Sequence, residues 1–565
     1  MTMTKRLLLL LPFVVTLYSC GMLGTGQDGQ KNEGKVFRYN QTGGLNSLDP
    51  AQARNRASIW ATTQLYNGLI TLNENLDAEP ELAKQYDISQ DGLTYTFIIR
   101  TGVRFHDNAC FPNGRGRELT AHDFVYSFKR ILDPKTSTGA WIFKDKVLTD
   151  EKGNPVDSCF KAVNDTTLKI YLKERSPVFL QILAMPYAFA VPKEAVEKYG
   201  KDFRSNPVGT GPFVLQKWVE RQDLILTKNT NYWKKDQAGN AYPYLDAVKV
   251  TFIDDPNTAF LQFQEGKLDF LTGISEASKD QILNKDGSLK EQFKGKFEID
   301  KVPYLNTEYV GFLLEGNEKE NPFLNLKVRQ ALSYATNRAA LVYSERNGLG
   351  RPGDYGFVPR GLPSFDTVTV KGYPFNLKRA QELLKEAGYP NGEGFPVITL
   401  YTYPSDKKLA EVLQTRWKQL GINVKIETNQ FTQHQEMVDK GKVNLFRGSW
   451  LGDYPDAENF LRLFYGKEDN FASNGGVNKT HFRNEDYNKL FEKAHQVEDL
   501  FERYAIYRQM DSIVMAEAPV IVLYYDEVIR LRQNYVVGLK PNIMNYLSLE
   551  KVDFKDPVEA KETKK

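Results

Sequence analysis

Residues 397–447 read VITLYTYPSDKKLAEVLQTRWKQLGINVKIETNQFTQHQEMVDKGKVNLFR, and the fold class is decided here. Val397 to Tyr401 carries the β-branched and aromatic residues of a strand. From Asp406 to Leu420, residues Leu409, Val412, Leu413, Trp417 and Leu420 share one face at helical spacing, which predicts an amphipathic helix. Gly421 ends it at a position where positive φ suits glycine alone. Ile422, Val424 and Ile426 then alternate as a strand does, and a short helix over Gln433–Lys440 leads into another strand, Val443–Arg447. Such crossovers are right-handed and make parallel strands, whose ligands sit beyond their carboxyl ends. The rule points to the loop that starts near Arg447.

Outward from this unit the chain stays mixed α/β. Thr94–Arg100 and Leu168–Leu172 read as strands, and Ala121–Leu132 reads as a helix capped by Thr120 and stopped before Pro134. The 565 residues are 41% hydrophobic and 26% charged, enough for two to four domains of ordinary globular composition. A net charge of +3, from 74 basic and 71 acidic residues, gives no reason to expect nucleic acid as a partner. The 30 Tyr and 34 Phe serve either a large core or an aromatic-lined cleft.

Lys5 and Arg6 precede an apolar run, Leu7 to Leu17, that is too short for a stable membrane span. It ends in Leu17-Tyr18-Ser19-Cys20, which resembles the bacterial lipobox; that resemblance implies a signal peptide over 1–20 and a lipid anchor on Cys20. Gly21–Lys35 is Gly-rich and polar, as a flexible tether is. The body of the chain holds no other run long and apolar enough to span a bilayer. Cys110 and Cys159 remain, an even pair outside the cytosol and so a disulfide candidate. His106, His122, His434, His481 and His495 lack ligand spacing, so no metal and no cofactor is expected. The chain has no Gly-x-Ser-x-Gly elbow, His-Glu-x-x-His helix or phosphate-cradling loop, which argues against an enzyme.

A series of short motifs runs along nearly the whole mature chain: Ser47–Pro50 (SLDP), Tyr66–Leu69 (YNGL), Leu82–Lys84 and Gly102–Asp107 (GVRFHD). It continues through Thr120–Ser127 (TAHDFVYS), Pro207–Phe213 (PVGTGPF), Asn229–Trp233, Asn325–Ala331 and Ala380–Gly388 (AQELLKEAG). In order and spacing the series resembles the solute-binding proteins that serve peptide and nickel ABC importers, and most of all their oligopeptide-binding members. The resemblance implies two α/β lobes joined by a hinge plus a smaller inserted α/β lobe, the periplasmic-binding-protein-like arrangement. Lobe I would take 36–66, 207–305 and 526–565, lobe II 67–206, and lobe III 306–525. The chain would be a monomer that hands a peptide to a permease and its ATPase, held at the extracytoplasmic face of the membrane.

By the same resemblance Asp453, within Phe446–Phe460 (FRGSWLGDYPDAENF), pairs with a ligand's α-ammonium group. A desolvated ammonium needs an opposite charge within hydrogen-bonding reach. Gly-Asp-Tyr-Pro is also good turn chemistry, so a capping role stands beside this one. Arg447 matches a basic pocket position, or is an ordinary surface arginine paired with a carboxylate, and Trp450 is a cleft wall or core. Main-chain groups around Ser449 and Leu451 would pair with a peptide backbone, which is blind to side chains. Phe431, Tyr525 and Trp141 match aromatic pocket positions, with core roles as the alternative. The chain departs from the family pattern at Arg54 and Arg56, where an acidic and a small apolar residue are usual, and at Ser405–Lys408, where a histidine is missing. Basic residues there could hold a ligand carboxylate or signal another ligand: an amine-bearing small molecule, an oligosaccharide or a nickel chelate. A receptor or sensor lipoprotein is the reading outside transport.

Overall fold

The computed structural model describes residues 34–470 and 476–555. Its late βαβ unit is formed as the periodicity predicts. Strand Ile398–Thr402 runs parallel to Val424–Thr428 in the register Ile398↔Val424, and helix Lys407–Trp417 crosses between them, burying Leu409, Ala410, Leu413 and Trp417. Val412 is only half-buried and Val397 is exposed, so the strand starts one residue later than its composition suggests. Gly421 has φ +80, and a Cβ there would meet the Asn391 carbonyl oxygen at 2.0 Å, so both conformation and space demand glycine. Helix Phe431–Asp439 leads into strand Leu445–Leu451, which joins Ile398–Thr402 in parallel through Tyr401↔Phe446. That strand runs four residues beyond the predicted end at Arg447 and takes in Ser449 and Leu451.

These strands form one flank of an 11-stranded mixed sheet. At its middle lie two long antiparallel strands, Phe297–Phe312 and Val520–Gln533. Their ladder runs from Phe297↔Gln533 to Pro303↔Glu527, breaks, and resumes from Thr307↔Tyr525 to Gly311↔Val520. Pro303 has no N–H to give the ladder, and irregularities of this kind bend and twist a strand pair. The cores change hands at the same place. Leu305 and Tyr309 face one cluster and Val310 and Phe312 another, as strand alternation requires, whereas Phe297, Ile529 and Leu531 belong to a third cluster with Phe263 and Leu271.

The fourth and largest core holds Phe37, Tyr39, Trp60 and Phe270 together with Phe97, Phe128 and Phe179. It fuses the far flank of the large sheet with the region 67–206, where Ala83–Ile88, Thr94–Ile99, Thr167–Tyr171 and Phe160–Asn164 form a four-stranded antiparallel sheet. Helix Ala121–Leu132 covers that sheet, and its Asp123 carboxylate reaches back to the Thr120 N–H (2.9 Å). The segment after the second long strand returns to this core through Val536, Leu539, Leu547, Leu549 and Val552.

The expected Cys110–Cys159 disulfide is not formed: both are free thiols. Cys110 sits in a loop held by the Asn108 side chain, which accepts from its N–H at 2.9 Å. Cys159 closes a separate turn, its N–H donating to Val156 O (3.0 Å), and burial pushes its thiol up to about 11. Each is anchored by its own loop. Cys20 and the tether residues 21–33 lie outside the described residues. No helix among the described residues is long and apolar enough to cross a membrane.

Candidate functional site

Strand Leu445–Leu451 has a partner along its whole length on one side and almost none on the other. Residues Phe312 to Asn306 pair with it from Leu445 to Leu451, whereas strand Ile398–Thr402 reaches only Phe446. Backbone groups of alternate residues point to opposite edges. Gly452 N–H donates inward to Leu305 O (2.7 Å), and Arg447 O accepts on the outer edge from His434 Nε2 (2.9 Å). By alternation the N–H and C=O of Ser449 and Leu451 face that outer edge, where no strand among the described residues pairs with them.

Charge is distributed unevenly along this segment. Arg447 is 2% exposed. Its guanidinium pairs with the Glu308 carboxylate and with Asp406 (3.1 Å), and it donates to Tyr309 O (3.0 Å). Burial opposes both charges of the Arg447–Glu308 pair, yet their attraction wins: Glu308 is held below the usual carboxylate range and Arg447 above the usual guanidinium one. Its side chain is engaged by protein carboxylates, as the paired alternative expects, although it is buried rather than at the surface. Ser449 Oγ joins the same network, 3.0 Å from both Asn306 Oδ1 and Glu308 Oε1.

Six residues on, Asp453 has no ion pair among the described residues. Burial pushes its carboxyl up, while Asn459 and Arg462 pull it down and Glu458 adds to the rise. Asn459, fully buried, is the hub the sequence did not single out: its Oδ1 accepts from Asp453 N–H (3.2 Å) and from Trp450 Nε1 (3.0 Å). Burial, with a contribution from the Asp453 charge, raises the hydroxyls of Tyr187 and Tyr546, and Arg54 opposes the rise at Tyr187. Trp141 meets Tyr187 edge-on, with ring centres 6.5 Å apart. Asp453 and Trp450 thus share Asn459, Trp141 packs on Tyr187, and Arg54 is exposed.

Other expected residues lie elsewhere. Tyr525 is 2% exposed, donates to Gly356 O (2.6 Å) and packs edge-on against Phe365, so it belongs to the core. Phe431 is 67% exposed and stacks on Tyr403, which in turn touches His434. Leu451 is half-exposed beside the open edge. Arg56 stands over the Trp60 ring (5.4 Å), with Arg530 over the same ring at 5.9 Å. Glu315, Asp469 and His481 cluster elsewhere, but Arg483 already pairs with both carboxylates, 2.7 Å from Glu315 and 2.9 Å from Asp469.

The structure thus has an α/β body whose long central strand pair is interrupted, with an open strand edge and a half-buried carboxylate beside it. Residues 77–472 match the model of bacterial extracellular solute-binding proteins, family 5. The chain belongs to that family, as its motif series implies, and is a solute-binding protein of the ABC-importer type, not an enzyme. It is 29% identical over 543 residues to the oligopeptide-binding protein OppA of Bacillus subtilis, covering 92% of this chain and 93% of that one. It is 30% identical over 475 residues to heme-binding protein A of Haemophilus influenzae, covering 81% of each. Among solved structures, HbpA2 of Haemophilus parasuis superposes with a TM-score of 0.79 at 25% identity, over 92% of this chain and 100% of that one. DppA of Helicobacter pylori, in complex with the peptide STSA, gives 0.72 at 26%, over 92% and 98%.

Proposed function

We propose that the protein captures di- and oligopeptides at the extracytoplasmic face of the membrane and passes them to an ABC permease. The observation that carries this reading is Asp453, a half-buried carboxylate with no ion pair among the described residues, at the end of an unpaired strand edge. An α-ammonium group would supply a cation, and the peptide backbone would pair with Ser449 and Leu451. Both features are generic to peptides, so side-chain selectivity is weak. Relatives named for oligopeptides and dipeptides support the reading. Closure would bend the paired strands where their ladder breaks near Pro303, moving 306–525 against the remainder. Cys20 would carry the lipid, with the Gly-rich segment after it as tether.

Calorimetry with a mixed tripeptide library tests the site. Asp453→Asn and N-acetylation of the library should each weaken binding at least tenfold, the scale of a lost charge-assisted hydrogen bond (roughly 1.5–3 kcal/mol). If Asp453→Asn binds as tightly as the parent, the ammonium role is wrong. Native mass spectrometry of the protein as purified then gives the mass of any retained ligand, and a non-peptide mass would replace the peptide reading.

A further inference from the structure

Three of the short motifs, Leu82–Lys84, Gly102–Asp107 and Asn229–Trp233, meet in a pocket that shares no residue with the Asp453 site. The pocket has a volume of about 410 Å³ and is lined by Lys84, Arg100, Thr101, Gly102, Val103 and Trp233. Two backbone irregularities shape it. Strands Ala83–Ile88 and Thr94–Ile99 pair as Ala83↔Ile99 and then Gln85↔Ile98, which leaves Lys84 as the extra residue of a bulge, and its side chain is exposed. Gly102 has φ +78, and a Cβ there would meet nothing within 4 Å, so conformation rather than space calls for glycine. Its N–H donates to the Glu118 carboxylate. Lys84 and Arg100 are the charged residues of the lining, and no salt bridge to either is found among the described residues. Arg100 Nε donates to Glu81 O (2.6 Å), and no hydrogen bond from its Nη atoms is found among the described residues. The carboxylates of Glu81 and Glu550 hold Lys234 instead, at 2.7 and 3.0 Å. Arg100 and Lys234 both stand over the half-buried Trp233 ring, 5.2 and 5.3 Å from its centre.

Two cations on an open surface would be an ordinary solvated patch. Here they share a pocket with an aromatic wall, and one of them is fixed. A guanidinium held at Nε presents its Nη groups as a fork, and an ammonium beside it adds a point charge; together these suit a tetrahedral oxyanion. A water takes up roughly 30 Å³, so the pocket has room for a phosphate and for the group that carries it. We propose that this pocket binds a phosphate-bearing molecule, its phosphoryl group between Lys84 and Arg100 and its organic part against Trp233. Such a group comes from a phospholipid headgroup or from a soluble phosphate monoester. The pocket is joined to the root of the Gly-rich tether through one short segment: Glu550 holds Lys234, and Asp553 holds Lys35 (2.7 Å). The proposal is independent of the role of Asp453.

The full unacylated mature chain, Lys84→Gln and Arg100→Lys are titrated by calorimetry with glycerol 3-phosphate and with glycerol, at fixed ionic strength in sodium chloride. The parent should bind glycerol 3-phosphate and not glycerol. Lys84→Gln should weaken that binding about tenfold, the scale of a lost charge-assisted hydrogen bond, and leave tripeptide affinity within twofold. Lys84 is exposed, so this variant folds as the parent does. Arg100→Lys keeps the charge and removes the fork, and should weaken binding as well. If the parent does not bind glycerol 3-phosphate at millimolar concentration, or if Lys84→Gln binds it as tightly as the parent, the pocket is no phosphate receptor. Co-sedimentation with phosphatidylglycerol vesicles separates the two sources. Sedimentation of the parent that Lys84→Gln loses assigns the phosphate to a lipid headgroup. Equal sedimentation of parent and variant, with glycerol 3-phosphate bound by the parent alone, assigns it to a soluble monoester.

Discussion

Arg447 and Asp453 stand at the two ends of one short segment, the first buried and the second half-buried, and their environments are opposite. Arg447 is met by Glu308 and Asp406, so its charge is neutralised inside the protein. Asp453 is met by an asparagine, and no ion pair to it is found among the described residues. Leaving a charge unpaired in a desolvated place costs free energy, and nothing in folding requires it at Asp453. The paired end thus serves the scaffold, and the unpaired end is the one the proposal assigns to the ligand. At both ends a charged side chain leaves much of the solvent, and the partner tells the two apart.

The comparison breaks first at Arg447. Arg447→Ala would leave Glu308 buried and uncompensated, and should lower unfolding free energy by about 3 to 5 kcal/mol in urea denaturation. A loss below 1 kcal/mol would mean that the pair is no scaffold element.

Asp511 supplies a third case, a buried carboxylate with no cation that still has a structural use. It accepts from the N–H groups of Phe357 (2.7 Å) and Val358 (3.3 Å), and burial raises its carboxyl from 3.8 to about 7. A carboxyl raised in the folded state holds its proton more tightly there than in the unfolded chain, so unfolding releases it. Its contribution is whole below pH 4 and is lost as pH climbs through about 7. The full swing is about 4 kcal/mol, and denaturation midpoints at pH 5 and pH 8 should show stability falling across that interval. Asp511→Asn should flatten the profile; an unchanged profile would assign the pH dependence to other groups.

At Asp453 the expected change in stability is smaller and has the opposite sign from that at Arg447. Its carboxyl is also raised, so Asp453→Asn removes a charge that the empty protein holds at a cost. The variant should melt at the parent's temperature or above it, within about 1 kcal/mol, although its peptide affinity collapses. A marked destabilisation would show that Asp453 serves the fold as the turn-capping residue that Gly-Asp-Tyr-Pro chemistry allows.

The late helix was legible in the sequence because its signals are local: one apolar face and a glycine at its end. The Thr120 cap was legible for the same reason, since Asp123 lies one turn away. The end of strand Leu445–Leu451 was not, because the exposed Ser449 and Leu451 carry no buried alternation to mark it. Nor was the state of Arg447, whose partner Glu308 is 139 positions distant. Arg530, Tyr546 and Asn459 went unmarked because each gains its meaning from a neighbour that folding brings to it. The βαβ crossover itself was legible, since strand direction is set by connectivity rather than by individual contacts.

The smallest effect concerns the aromatics. Tyr525 matches a pocket position by family pattern, yet its hydroxyl is 2.6 Å from Gly356 O and its ring lies in the core. Tyr525→Phe leaves the ring and deletes one buried hydrogen bond, so stability should fall by about 1 kcal/mol while tripeptide affinity stays within twofold. The two quantities separate the roles, since a core residue moves the first and a pocket residue the second. If affinity falls tenfold at unchanged stability, the ring reaches the ligand when the protein closes, and the boundary between scaffold and receptor lies deeper than Asp453.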